Sequence, residues 1–305
     1  MGPSASSNGE IFREELRLGS IRAAQQADQL LVFEKGLTFP SFLSELLVHN
    51  REMNKRHREI ASALPVDLDT LPQRSGFRLR GMEMTRLETF TDAAFAFAIT
   101  MLVIAAQQIP DDIKSLLAAF RNVPTFAFSI AVLGIFWWGH WEWSRRYGIE
   151  DGVSIIISWA LIVTILIYIY PLKAIFGAMW FLLSDGRVGQ ALVIRSTESE
   201  ARSLFAAYAL GFTAVSGEIV LLNFRAWQLR DALQLNARER LTTHSEMTGW
   251  SIPISVGIVS LLLSQTLPIG EIAWCGWIYF SLPVPLLLHH ILRKKQLERL
   301  PEGGR

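Results

Sequence analysis

Asp92 stands where hydrocarbon is expected, a turn or two into the stretch Arg86-Leu-Glu88-Thr-Phe90-Thr91-Asp92-Ala-Ala-Phe-Ala-Phe97-Ala-Ile-Thr100-Met101-Leu-Val-Ile104. An ionisable side chain at membrane depth is costly, so it faces protein or water and needs a partner. Two chemistries suit it: an ion or proton site, or a hydrogen bond that fixes how neighbouring helices pack. Each helical residue turns about 100° around the axis. Arg86, Phe90, Ala93, Phe97, Met101, Ile104 and Gln108 recur at intervals of four and three and form one stripe. Asp92 projects away from that stripe, nearer Glu88 and Ile99. If the stripe lines a pathway, Asp92 lies behind it in a helix interface, which favours packing and hydrogen bonding over direct ion coordination. Thr100 lies on the flank of the stripe; its hydroxyl either points toward a pathway or bonds back to its own helix, the commoner fate of a membrane threonine.

Other reactive constellations are missing from the sequence. No Ser/His/Asp, HExxH or carboxylate-pair spacing supplies a nucleophile and base, so the chain is not read as an enzyme. Cys275 is the single cysteine, which excludes an intrachain disulfide, and Cys/His spacings for zinc are absent, so no metal site and no cofactor are expected. A net charge of +1 excludes nucleic acid as a partner held by overall basicity. Glu218 reads as a polar link between helices, and Lys173 as a side chain that snorkels to an interface.

The elements that must position Asp92 are membrane spans. Of 305 residues 50% are hydrophobic, only 19% are charged, and ten are Trp and eighteen Phe; the mean hydropathy is +0.28. Six apolar stretches, near 87–109, 124–144, 153–175, 203–224, 248–267 and 272–292, each have about the 20 residues that a helix needs to cross a bilayer. The fold class is therefore all-α, a polytopic membrane protein with six transmembrane helices. Residues 81–295 form the membrane domain and 296–305 a cytoplasmic tail. Residues 1–80 form a cytoplasmic N-terminal extension, read either as amphipathic helices near 10–34 and 41–63 or as a tail that orders only against itself or a partner, with a linker marked by Pro65, Pro72 and Gly76. The 31 residues from Val153 to Leu183 carry only Lys173 as a charge, and Pro171 is expected to bend or end the helix there. Spans five and six, joined by Leu267-Pro268-Ile269-Gly270-Glu271, are expected to form a helical hairpin.

Cytoplasmic flanks retain Lys and Arg. With the N-terminus inside, the inner segments hold 23 of them against 5 in the outer loops, which places both termini in the cytoplasm. Trp137, Trp138, Trp141 and Trp143 then fall at the inner end of span two, where an interfacial aromatic belt is expected. Membrane lipid is thus a partner along the whole domain.

Arg86-x-x-x-Phe90-Thr91-Asp92, followed by small and apolar residues, Thr100 and Pro110, resembles the Arg-x-x-x-Phe-Ser-Asp first helix of the transmembrane protein 175 potassium channels. Trp137-x-x-His140 looks like that family's Trp-x-x-His-His, and Pro171 falls where the family tends to have proline. The resemblance implies a channel of the bacterial type, in a cell membrane, with one six-helix unit per chain and a homotetramer in which helix one lines a central pore. It implies potassium as the permeant ion, and a hydrophobic constriction at Phe97, Met101 and Ile104, with Thr100 and Gln108 also lining the pathway. Arg86, Phe90, Thr91, Asp92, Trp137 and His140 become the signature residues that pack the helices, with His140 and Trp137 expected against the Thr91/Asp92 region. No Thr-Val-Gly-Tyr-Gly filter of ordinary potassium channels occurs. Several residues depart from the family pattern: Thr91 stands for Ser, Phe97 for Ile or Leu, Trp141 for the second His, and Ala105 to Gln108 for an acidic residue. A reading of a different class is a nonconducting scaffold or sensor that signals through the N-terminal domain.

Overall fold

The computed structural model describes residues 71–104, 112–190 and 196–300. Apart from Asp151–Val153 they belong to one structural unit. The amphipathic helices near 10–34 and 41–63, Gln108, Pro110 and residues 301–305 lie outside the described residues.

A two-stranded antiparallel hairpin opens the unit: β1 (Gln73–Arg74) pairs with β2 (Phe77–Arg78), Arg74 opposite Phe77. Ser75 and Gly76 both have positive φ, the condition for a tight hairpin turn that matches strand twist. Helices follow: α1 (Arg86–Ile104), α2 (Ile113–Phe120), α3 (Val123–Tyr147), α4 (Gly152–Leu183), α5 (Glu198–Gln228) and α6 (Ala237–Thr266). After α6 the chain winds as a 3-10 turn (Ile269–Glu271), the short α7 (Trp274–Trp277), a second 3-10 turn (Ile278–Ser281) and α8 (Pro283–Glu298).

Among the described residues five helical segments are long and apolar enough to cross a bilayer: α3, α4, α5, α6 and Ile269–Glu298. The expected first span is represented by the 19 residues of α1, and 105–109 lie outside the description. The outward faces of the long helices carry large apolar side chains, Ile167 at 66% and Leu262 at 61% exposure, as hydrocarbon surroundings require.

Local chemistry sets the helix ends. Pro124 occupies the first turn of α3, where its missing N–H costs nothing, and Gly148 closes the helix in the left-handed conformation with its N–H on the Ser144 carbonyl. Capping boxes start α5, through Thr197 and Glu200, and α6, through Asn236 and Glu239.

One expectation is corrected in part: Pro171 does not end its helix. Helix α4 runs unbroken for 32 residues with Pro171 in its interior. Proline forfeits one helical hydrogen bond and crowds the preceding turn, but Tyr168, Ile169, Leu172, Ile175 and Phe176 are all buried, so packing on both sides of Pro171 holds the helix. The last span packs back along α6 as a hairpin: Ser260 Oγ donates to the Cys275 carbonyl at 2.7 Å, and Thr248 Oγ1 lies 3.0 Å from His289 Nε2. Within it, Pro268, Gly270 and Gly276 break the first half into short turns before α8, whose first turn holds Pro283.

The core collects Phe95, Ala98 and Leu102 of α1, Leu133 and Phe136 of α3, Leu161, Ile165 and Leu172 of α4, and Phe212, Val215 and Ile219 of α5. A smaller cluster at the other end joins Phe77 of the hairpin to Trp143, Tyr147, Leu222, Ala226 and Leu235. Helices α5 and α6 lie especially close. A Cβ on Gly257 would strike the Thr213 hydroxyl, so only a residue without one fits that crossing.

Candidate pore helix and its anchoring

Helix α1 starts after Thr85, whose hydroxyl accepts the Glu88 N–H at 3.1 Å. From there its two faces part. Glu88, Thr91, Phe95, Ala98 and Leu102 recur at three and four and are buried. Arg86, Phe90, Ala93, Phe97 and Thr100 face away from the bundle, with Phe97 55% exposed and Phe90 45%. Phe90 rests on Trp159 of α4, ring centroids 5.0 Å apart. Met101 is half-buried and leans on the core, so the lower half of the stripe is turned outward more fully than Met101. Ile104 ends α1, and nothing is described of its side chain. Thr100 Oγ1 donates to the Ala96 carbonyl at 2.9 Å, and Thr91 Oγ1 to the Leu87 carbonyl at 2.8 Å.

Asp92 is half-buried between α1 and α3, and its Oδ1 accepts the Trp137 indole N–H at 2.8 Å. His140, one turn further along α3, does not join them. It is buried at 1% exposure with Nε2 3.1 Å from Ser158 Oγ of α4, and its ring lies against Trp143. The expected grouping of Trp137 and His140 around Asp92 thus holds for Trp137 alone, because residues three apart on a helix diverge by about 60° and here meet different neighbours. Of the four tryptophans expected in an interfacial belt, Trp143 is not available to one. Trp143 is 2% exposed and donates to the Leu222 carbonyl, while Trp138 remains 44% exposed. In α5, Glu218 Oε1 accepts the Thr164 hydroxyl at 2.7 Å, and Lys173 of α4 lies 5.4 Å from the Phe126 ring.

The segment that leads into α1 is fastened by groups that sequence reasoning did not single out. Glu239 accepts from Arg78 N, Nε and Nη2 at 2.9, 3.0 and 2.7 Å, and from Arg80 Nη1 and Nη2 at 3.2 and 2.9 Å. Its side chain is fully buried. Arg145 at the end of α3 donates to the Gly81 and Met82 carbonyls and pairs with Glu88 of α1 at 3.0 Å. The Arg80 and Gly81 N–H groups return hydrogen bonds to the Arg146 and Arg145 carbonyls. A weak signal was present: Glu239 stands three residues after Asn236, and Arg145 and Arg146 end α3 beside Gly148.

A model of the endosomal/lysosomal potassium channel TMEM175 matches residues 86–171, from the first residue of α1 to Pro171. A potassium channel of Marivirga tractuosa is 30% identical over 239 residues, covering 74% of this chain and 94% of that protein. This chain belongs to the TMEM175 family. The crystal structure of the potassium channel MtTMEM175, a variant in complex with a nanobody–MBP fusion protein, superposes with a TM-score of 0.64 at 28% identity. That match covers 74% of this chain and all of the other. The TMEM175 membership makes the chain an integral, multi-pass membrane protein, and the matched segment begins at the Arg86 motif from which the family was inferred.

Proposed function

We propose that this TMEM175 protein is a potassium-permeable channel. Four copies surround a central pathway, each giving the outward face of α1, in a six-span unit with both termini cytoplasmic. The observation that carries the reading is Phe97: it is 55% exposed in a helix whose opposite face is locked into the core. One helix cannot enclose a pore, and the permeation named for the Marivirga tractuosa relative needs a water-filled axis. Phe97, Met101 and Ile104 would then form rings of large apolar side chains. Such a constriction gates by dewetting, because an ion loses hydration there and receives no polar replacement. Thr100 spends its proton on the Ala96 carbonyl, so the lone pairs left on its oxygen are the part that a passing cation meets. Gln108 would add an amide further along.

Asp92 is assigned the role of a positioning residue. Its bond to Trp137 holds α1 at a set rotation, and Glu88 with Arg145 holds the same helix one turn earlier. The Arg78, Arg80 and Glu239 cluster anchors the segment before α1, so movement of the N-terminal extension would reach the pore helix through it. Reconstitution in liposomes under a potassium gradient tests the reading. Wild type should pass potassium faster than sodium, and Phe97→Ala should raise the flux. Flux at the level of empty liposomes from both versions would instead support a nonconducting scaffold.

A further inference from the structure

A cavity of about 370 Å³ lies among α3, α4, α5, α6 and the Ile269–Glu298 segment. Helix α1 contributes nothing to its wall, so it is separate from the proposed pathway. Its volume falls within the roughly 300–1,000 Å³ of small-molecule sites. The wall is aromatic, with Phe128, Phe136, Phe176, Tyr208, Trp250 and Tyr279, and it includes no charged side chain. Water does not fill such a space, because apolar cavities offer it too few hydrogen bonds.

The surroundings say what does. Ile135, Leu182 and Phe280 belong to the wall and are 59%, 50% and 54% exposed, so the cavity opens sideways at an apolar surface of the chain. At the Ile269–Glu271 turn it shares Ala273 and Trp277 with a second hollow, completed by Gly270, Glu271 and Trp274. Glu271 is exposed there and makes no ion pair among the described residues, and Trp274 is 62% exposed. A carboxylate beside indole faces is a receptor for an ammonium group, which gains from the charge and from the ring quadrupole together.

We propose that this cavity is a lipid site. One acyl chain of an ammonium-headed phospholipid enters it from the side, and the ammonium rests on Glu271 and the Trp277 ring. The site selects the zwitterionic headgroup over an anionic one by the charge of Glu271. Its apolar depth takes the chain whatever the headgroup.

The test is native mass spectrometry of the intact protein in detergent, offered phosphatidylethanolamine or phosphatidylglycerol with identical chains. Wild type should retain phosphatidylethanolamine several-fold over phosphatidylglycerol. Ala273→Phe, which fills the shared neck, should lose retention of both. Glu271→Gln should keep the amount of bound lipid but lose the preference. The proposal is overturned if wild type retains no lipid, if Ala273→Phe retains as much as wild type, or if Glu271→Gln keeps the preference. Should Ala273→Phe not fold, the Glu271→Gln comparison, at an exposed side chain, decides alone.

Discussion

The Trp137 indole N–H donates to Asp92 Oδ1 at 2.8 Å, a single bond that joins α3 to α1 across 45 residues of sequence. The positioning role proposed for Asp92 rests on this bond. Removing the donor leaves the acceptor half-buried and unmade, which costs about 1–3 kcal/mol. Trp137→Phe should therefore lower the midpoint of thermal unfolding in detergent. Asp92→Asn, whose carbonyl still accepts, should lower it less. Equal losses from the two variants would mean that the charge, not the bond, matters at this position.

Glu239 serves two arginines and its own helix cap at once. Breaking a buried ion pair by removing one partner costs roughly 3–5 kcal/mol, since the other charge stays behind unpaired. Glu239→Ala strands Arg78 and Arg80 together and should give little folded protein by size-exclusion chromatography. Restoration toward wild type is expected when Arg78→Met and Arg80→Met are added, because the stranded charges are gone.

Two glycines bring the lead-in segment onto α3, and a Cβ on Gly148 would lie 3.0 Å from the Arg80 carbonyl. Gly148 sits at φ 57°, where a side chain costs roughly 1–2 kcal/mol. Gly81 has ordinary φ, but a Cβ there would collide with the Ser144 carbonyl, which already accepts the Gly148 N–H. Gly81→Ala should thus destabilise more than Gly148→Ala, as read from the two unfolding midpoints.

His140 and Ser158 are both buried, and each is the other's side-chain partner. Ser158→Ala leaves the imidazole unsatisfied and should cost about 1–3 kcal/mol. His140→Phe with Ser158→Ala, which removes both polar groups, should cost less than the two single losses added. A strictly additive double-mutant cycle would contradict the contact.

Much of this arrangement was legible before any coordinates. The opposite faces of α1 follow from residues recurring at three and four, which places Phe97 outward and Asp92 toward another helix. Glu218 likewise reads as a link between helices, and Thr164 is the group that it meets. What sequence could not supply was partner identity across distance. Glu239 lies 161 residues from Arg78, and no local pattern pairs the two. Trp143 reads as interfacial and His140 as a neighbour of Asp92, yet the crossing of α3 with α4 and α5 buries both against other partners. Pro171 misled for a related reason: its local cost is offset by tertiary packing that no local pattern records.

The central claim is that the outward face of α1 lines a water-filled axis. Cysteine accessibility tests it most directly, with Phe97→Cys and Ile167→Cys compared in a Cys275→Ala background, reconstituted in liposomes. Ile167 is 66% exposed on α4 and serves as the reference outside α1. A water-soluble, positively charged thiol reagent should react at position 97 and block potassium flux, and leave the position 167 variant conducting. No reaction at position 97, with potassium flux unchanged, would contradict the account.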